Sequence, residues 1–412
     1  VLKIVLTLTA FVAALAVTVE ADDSGRIYGE ITTDEGDTFE GFIRWDKNEG
    51  NWVDILDATK ELPKRGTDKE VRRKYSERKP TIEIFGITIG KSRSSSSGWW
   101  STAQLGIRFG HIRTMDVVDD DAVLLTLKSG QEVELSGGST DIGSGIREII
   151  IEDEHEGEIE LVWDDLEAIE FMQAPSGAES NFGERLYGTL ITRRGDGYTG
   201  YVCWDVDELF PTDILDGDEK RRSRKIKFGK IASIERYSSS GAKVTLTNGD
   251  QMVLRGTNDV DDGNRGIVIS DPGLGQVTVK WDEFDRLDFK KAPHQVQYKE
   301  FDGGRRLTGT VYTEDGESYT GTIRWDDDEE YTWEILNGDY RDVEFDIEFG
   351  LIKSIEKRSR RSSIVTVRDD RSFRLSGSND VDEDNKGIFV TLPEGDEVEI
   401  EWEDFDRVEF SK

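Results

Sequence analysis

The sequence has 412 residues, with 87 acidic against 53 basic side chains and a formal net charge of -34. That charge opposes long-range attraction to nucleic acid or an anionic lipid surface, because every phosphate contact would start in a repulsive field. A single cysteine, Cys203, excludes an internal disulfide framework, and His111, His155 and His294 are too few for a His-rich metal site or a His-based triad.

The first element in chain order is apolar. Lys3 gives a short basic start, a hydrophobic run extends from Ile4 to about Val19, and it ends near Val19-Glu20-Ala21. This is the pattern of a secretory signal peptide over residues 1–21. The run is shorter than the roughly 20 residues a membrane span prefers. Glu20, Asp22 and Asp23 follow it with no basic stop. Export to the periplasm or the extracellular space is therefore expected, without a membrane-spanning segment.

From Tyr28 onward, short alternating apolar runs separated by Gly, Asn and Asp predict strands. The same landmarks recur in the same order three times, from Tyr28-Gly29 to Phe171, Tyr187-Gly188 to Phe289, and Thr308-Gly309 to Phe410. Each copy opens with a strand, a turn and a second strand ending in Trp-Asp: Ile43-Arg44-Trp45-Asp46, Val202-Cys203-Trp204-Asp205 and Ile323-Arg324-Trp325-Asp326. The apolar residue and the Trp stand two apart, so they share one face of the strand, and that face is the predicted core. Cys203, aligned with Arg44 and Arg324, falls on the opposite face and is expected to point outward. Gly41, Gly200 and Gly321 precede this strand, where a bend or a close backbone approach requires them. Asn248-Gly249 lies between two alternating runs and predicts a tight hairpin. A second Trp-acid pattern closes each copy at Trp163-Asp164, Trp281-Asp282 and Trp402-Glu403.

A strand ending in an aromatic residue, a one-turn link carrying a buried Leu or Phe, and a short final strand resemble the way SH3-like and Sm-like small barrels finish. The pattern occurs twice per copy. On this resemblance the chain is all-β, with three tandem repeats at 26–173, 183–291 and 303–412, each a pair of five-stranded barrels. Repeat one alone carries an insertion, 58–106. Short linkers at Ala174-Pro175-Ser176-Gly177 and Ala292-Pro293-His294 predict that neighbouring copies pack into a semi-rigid rod.

Three places could carry chemistry. The loops holding Asp259, Asp261, Asp262 and Asn264, and Asp380, Asp382 and Asp384, have alternate acids and a glycine, a spacing similar to calcium loops. The competing reading is a solvated hairpin loop. The Trp-acid pairs would stack on a glycan if exposed, but one Trp per barrel on an apolar face reads as core. The insertion is basic in an acidic chain, and Arg72, Arg73, Lys74, Trp99 and Trp100 form a candidate partner-binding arm. An arm folded against the chain's own acidic surface is the alternative.

The expectation is an exported, non-enzymatic binding or structural repeat protein. Its partner would be an unidentified protein or a glycan, not nucleic acid, and no cofactor is expected beyond calcium at the two loops. A calcium-dependent adhesion or glycan-binding protein and a carboxylate-based glycan hydrolase stay open as alternatives. The hydrolase would need two acids held across one singular cleft.

Overall fold

The structure, a computed structural model, describes residues 25–63, 100–137 and 141–412, with side chains at 61–63 and 100–104 left aside. The expected signal peptide, 1–21, lies outside the described residues. The chain is all-β, and three segments supply its strands. The first contains β1 (Tyr28–Thr33), β2 (Thr38–Trp45), β3 (Ile55–Pro63), β4 (Trp100–Arg108), β5 (Ile112–Asp119), β6 (Ala122–Leu127), β7 (Glu132–Ser136), β8 (Ile149–Asp153), β9 (Gly157–Leu161) and β10 (Leu166–Phe171). The second contains β11 (Tyr187–Thr192), β12 (Gly197–Trp204), β13 (Ile214–Glu219), β14 (Arg222–Lys227), β15 (Ile231–Ser238), β16 (Gly241–Leu246), β17 (Gln251–Leu254), β18 (Ile267–Asp271), β19 (Gly275–Val279) and β20 (Phe284–Phe289). The third contains β21 (Thr308–Thr313), β22 (Ser318–Arg324), β23 (Ile335–Tyr340), β24 (Val343–Glu348), β25 (Ile352–Ser359), β26 (Ser362–Val367), β27 (Ser372–Leu375), β28 (Ile388–Thr391), β29 (Glu397–Ile400) and β30 (Phe405–Phe410). No helix among the described residues is long and apolar enough to cross a membrane.

Pairing is antiparallel throughout, and the order β5-β10-β1-β2-β8-β9 recurs as β15-β20-β11-β12-β18-β19 and β25-β30-β21-β22-β28-β29. The expected pairs of closed five-stranded barrels are not formed. Each opening strand pairs with the closing strand on one side and the Trp-bearing strand on the other, so what would be two barrels is one open sheet. The glycine ahead of the Trp strand marks the close approach expected of it. A Cβ on Gly41 would lie 2.0 Å from the Glu152 carbonyl oxygen, and on Gly321 2.1 Å from that of Thr391.

The tryptophans close the core, as the alternation predicts. Trp45, Trp204 and Trp325 are fully buried, and Trp163, Trp281 and Trp402 meet them edge to face at 6.4, 6.3 and 6.4 Å. The cores of the second and third segments are continuous, because β24 joins the sheet of the second segment beside β19.

The segments do not form a row. The first touches the second through the buried Arg185–Asp54 pair, through Arg44–Asp213 at 3.0 Å, and through Phe210 beneath Gly50. It also touches the third, where Glu348 lies 3.5 Å from Arg108 and 3.2 Å from His111 Nε2, and Trp333 donates to Gln131 at 3.1 Å. This arrangement overturns two expectations at once. The rod is replaced by mutual contact of all three segments, and Cys203 is buried instead of outward. Its face of β12 packs in a patch with Leu209, Phe210 and Val268, and burial pushes the thiol pKa well up.

Candidate functional site

The Trp-Asp turn and the acidic loop, far apart in sequence, form one constellation in each segment. The Trp strand ends in two consecutive residues with left-handed backbone: Asp46 and Lys47, Asp205 and Val206, Asp326 and Asp327. Such φ values cost a β-branched residue like Val206 most, so the surrounding contacts must hold the turn. They do so through bonds that recur in all three segments. The indole N–H donates to a loop carbonyl, from Trp45 to Asp141 at 3.0 Å, Trp204 to Asp259 at 2.9 Å and Trp325 to Asp380 at 2.9 Å. The same loop aspartate accepts a strand amide through its carboxylate, from Asp57 at 2.7 Å, Asp216 at 2.6 Å and Asn337 at 2.7 Å. The fully buried turn aspartate accepts from a basic residue farther along the loop, Arg147 at 3.0 Å, Arg265 at 3.0 Å and Lys386 at 3.2 Å.

This geometry divides the residues suggested by calcium-loop spacing. Asp259 and Asp380 turn inward to cap β13 and β23. Asp261 and Asp382 accept loop amides from Gly263 and Asp384, Asn264 accepts from Gly266, and Asp262 and Asp384 are exposed. The loop acids therefore do not converge on one point. Asp380 instead meets two acids outside the loop: one carboxylate oxygen each from Asp326, Glu329 and Asp380 lie within 4.8 Å of one another. Glu329 stands four residues after the Trp, as do Glu49 and Glu208, a signal visible in the sequence that loop spacing alone passes over.

In all three segments this glutamate has a shielded Oε2 with no hydrogen-bond partner. Burial, reinforced by the neighbouring aspartates, pushes the Glu208 carboxyl up to about 10 and those of Glu49 and Glu329 well above the usual range. Burial likewise raises Asp380 to about 8 and Asp259 to about 6. The cluster can hold a proton on the glutamate. Its fit to a divalent cation is partial: three carboxylates supply fewer than the six to eight oxygens calcium takes, and Lys386 already sits against Asp326 and Asp328.

The insertion leaves the sheet as the long hairpin β3–β4, in register to Leu62 opposite Ser101 and Pro63 opposite Trp100. Arg72, Arg73, Lys74 and Trp99 lie outside the described residues, as does the side chain of Trp100. Lys60, on the described part of the hairpin, pairs with the buried Glu334 of the third segment. An open groove of about 760 Å³ runs beside the β23–β24 turn, lined by Asp339, Arg341, Arg361, Arg374 and Asp382. No protein-family model matches the sequence, and no curated protein matches it significantly.

Proposed function

We propose that this chain is an exported, non-enzymatic structural or binding protein of the cell envelope or extracellular space, built by threefold duplication of a unit related to SH3-like and Sm-like small barrels. One observation carries the reading: Trp45, Trp204 and Trp325 and the loop aspartates Asp141, Asp259 and Asp380 sit at matched positions in all three segments and are spent on the turn-and-loop bonds. A catalytic site would be expected once, in an irregular place. The partner is a protein or a glycan, and the surface charge disfavours nucleic acid.

Fractionation with N-terminal sequencing tests export. Recovery beyond the inner membrane with the leader removed supports it, and cytosolic protein with the leader intact refutes it. Incubation with envelope polysaccharides tests the absence of catalysis, since release of reducing ends that disappears in Glu329→Gln would identify a hydrolase.

A second reading, calcium bound at the turns instead of along the loops, is favoured by the unpartnered Oε2 of Glu329 beside Asp326 and Asp380. It requires calcium, and not magnesium, to raise the unfolding temperature of the native chain but not of Glu329→Gln.

A further inference from the structure

Among the described residues, one strand-addition joint links two segments. β24 pairs along the edge of β19, with Gln276 opposite Asp346, Val277 opposite Phe345 and Val279 opposite Val343. Two ion pairs flank the hairpin turn, Arg194–Asp342 at 2.9 Å and Arg341–Asp196 at 3.2 Å. Two more cross the joint, Lys280–Glu344 at 2.5 Å and Arg371–Asp271 at 2.6 Å, and the Tyr198 ring meets Phe345 at 5.8 Å.

The matching parts elsewhere are left open. The second segment's hairpin, β13–β14, forms a two-stranded sheet of its own, and β29 ends the sheet of the third segment. Both hairpins turn through two left-handed residues, Lys220 and Arg221 in one, Arg341 and Asp342 in the other. Arg222, Ser223, Arg224 and Lys225 are exposed, as are Glu397 and Glu399.

We propose that β14 of one copy adds to β29 of a second copy, in the register that joins β24 to β19. The argument is charge complementarity at the two turn-flanking pairs and at one cross-strand position, where Glu397 would share its charge with Arg324. The Lys280–Glu344 and Arg371–Asp271 pairs have no charged counterpart, since Glu401 matches Lys280 with Ser223 opposite and Asp250 matches Arg371 with Leu392 opposite. Lys220, Arg221 and Lys225 stand where Arg341, Asp342 and Asp346 stand in the existing joint, and Glu317, Asp315 and Glu397 stand where Asp196, Arg194 and Gln276 stand. The flanking pairs therefore become Lys220–Glu317 and Arg221–Asp315. The second has its signs exchanged relative to the existing joint and still attracts. Lys225 falls opposite Glu397, with Lys227 and Glu399 on the same face.

Tyr319 replaces Tyr198 and Arg224 replaces Phe345, so a guanidinium takes the place of the aromatic ring beside the tyrosine. Unpaired edge strands offer a row of free amides and carbonyls, and charges of one sign usually keep such edges apart. Here the two edges carry opposite signs. The joint is heterologous, so two copies joined once leave one β14 and one β29 unused and further copies can add, second and third segments alternating along the row. This goes beyond the proposed function, since it names the partner as the chain itself.

Sedimentation velocity on the full chain, at rising concentration and low salt, tests the proposal. Mass should grow past a dimer without a plateau and fall back as salt screens the pairs. Lys220→Glu with Lys225→Glu should weaken association about tenfold or more, as should Glu317→Lys with Glu397→Lys. Mixing the two charge-reversed proteins should restore it. All four positions are on the surface, and an unchanged unfolding temperature confirms that each variant folds. A chain that stays monomeric at every concentration overturns the proposal. So does association that survives Glu317→Lys with Glu397→Lys but is lost with Glu158→Lys and Glu160→Lys, which would place the hairpin on β9 of the first segment.

Discussion

The hairpins β13–β14 and β23–β24 follow the same backbone course, yet the first is an isolated pair of strands and the second is built into the sheet of its neighbour. Two inward positions account for the difference. Val343 and Phe345 are 2% and 1% exposed against β19 and the Tyr198 ring, whereas Arg222 and Arg224 occupy the same places in β14 and remain in solvent. Backbone geometry makes both hairpins able to extend a sheet. Side-chain chemistry decides which does so within the chain.

The strongest way to break the contrast is to remove the apolar anchor. Phe345→Ala should cost about 3–5 kcal/mol and leave β24 as open to hydrogen exchange as β14, read by amide exchange and denaturant unfolding. If β24 stays protected, the side chain is not what holds the joint.

The loop caps sharpen the contrast next. Asp259→Ala removes the carboxylate that accepts the Asp216 amide, and Asp380→Ala does the same for Asn337. Each should cost about 1–3 kcal/mol. The β13–β14 hairpin is held beside β17 by the Asp218–Arg255 bridge but has no strand along β14 as β24 has β19, so exchange in β13–β14 should rise more after the first change than exchange in β23–β24 after the second.

Acidity should separate the hairpins too. Burial lifts the Asp346 carboxyl to about 6, while Lys225 holds the matched place in β14. A carboxyl raised on folding contributes stability at low pH that is lost as pH climbs through the folded value. Unfolding should therefore become easier from about pH 4, where the unfolded carboxyl ionises, to about pH 6, by on the order of 1–3 kcal/mol. Asp346→Asn should reduce that slope by this group's share, the rest belonging to Asp259 and the other raised carboxyls. Asp380 keeps the curve falling up to about 8 and Glu208 up to about 10, since their unfolded forms are already ionised over that range.

The smallest effect is at the rim. A double-mutant cycle on Arg341 and Asp196 should return a coupling of about 0.2–1 kcal/mol that fades with salt.

Much of the fold was legible in the residues. Alternation around Trp45, Trp204 and Trp325 identified the buried face, and the glycines before them marked close approaches that the structure contains. The candidate site was only partly legible. Spacing singled out Asp259 and Asp380 but grouped them with Asp261, Asp262, Asp382 and Asp384, whose side chains cap loop amides or face solvent. Glu49, Glu208 and Glu329 were missed because a surface turn and a buried one look alike until the loop that covers them is placed.

The sequence alone determined the strands, the apolar face of each and the order in which they recur, because period-two alternation and turn residues act over a few neighbouring positions. Tertiary structure decided what lies against the other faces. It buried Cys203 against Leu209, Phe210 and Val268, left the sheets open where closed barrels were expected, and let β24 but not β14 join a neighbour. Those outcomes depend on surfaces contributed from distant parts of the chain, and local patterning carries no record of which distant surface will meet a given face.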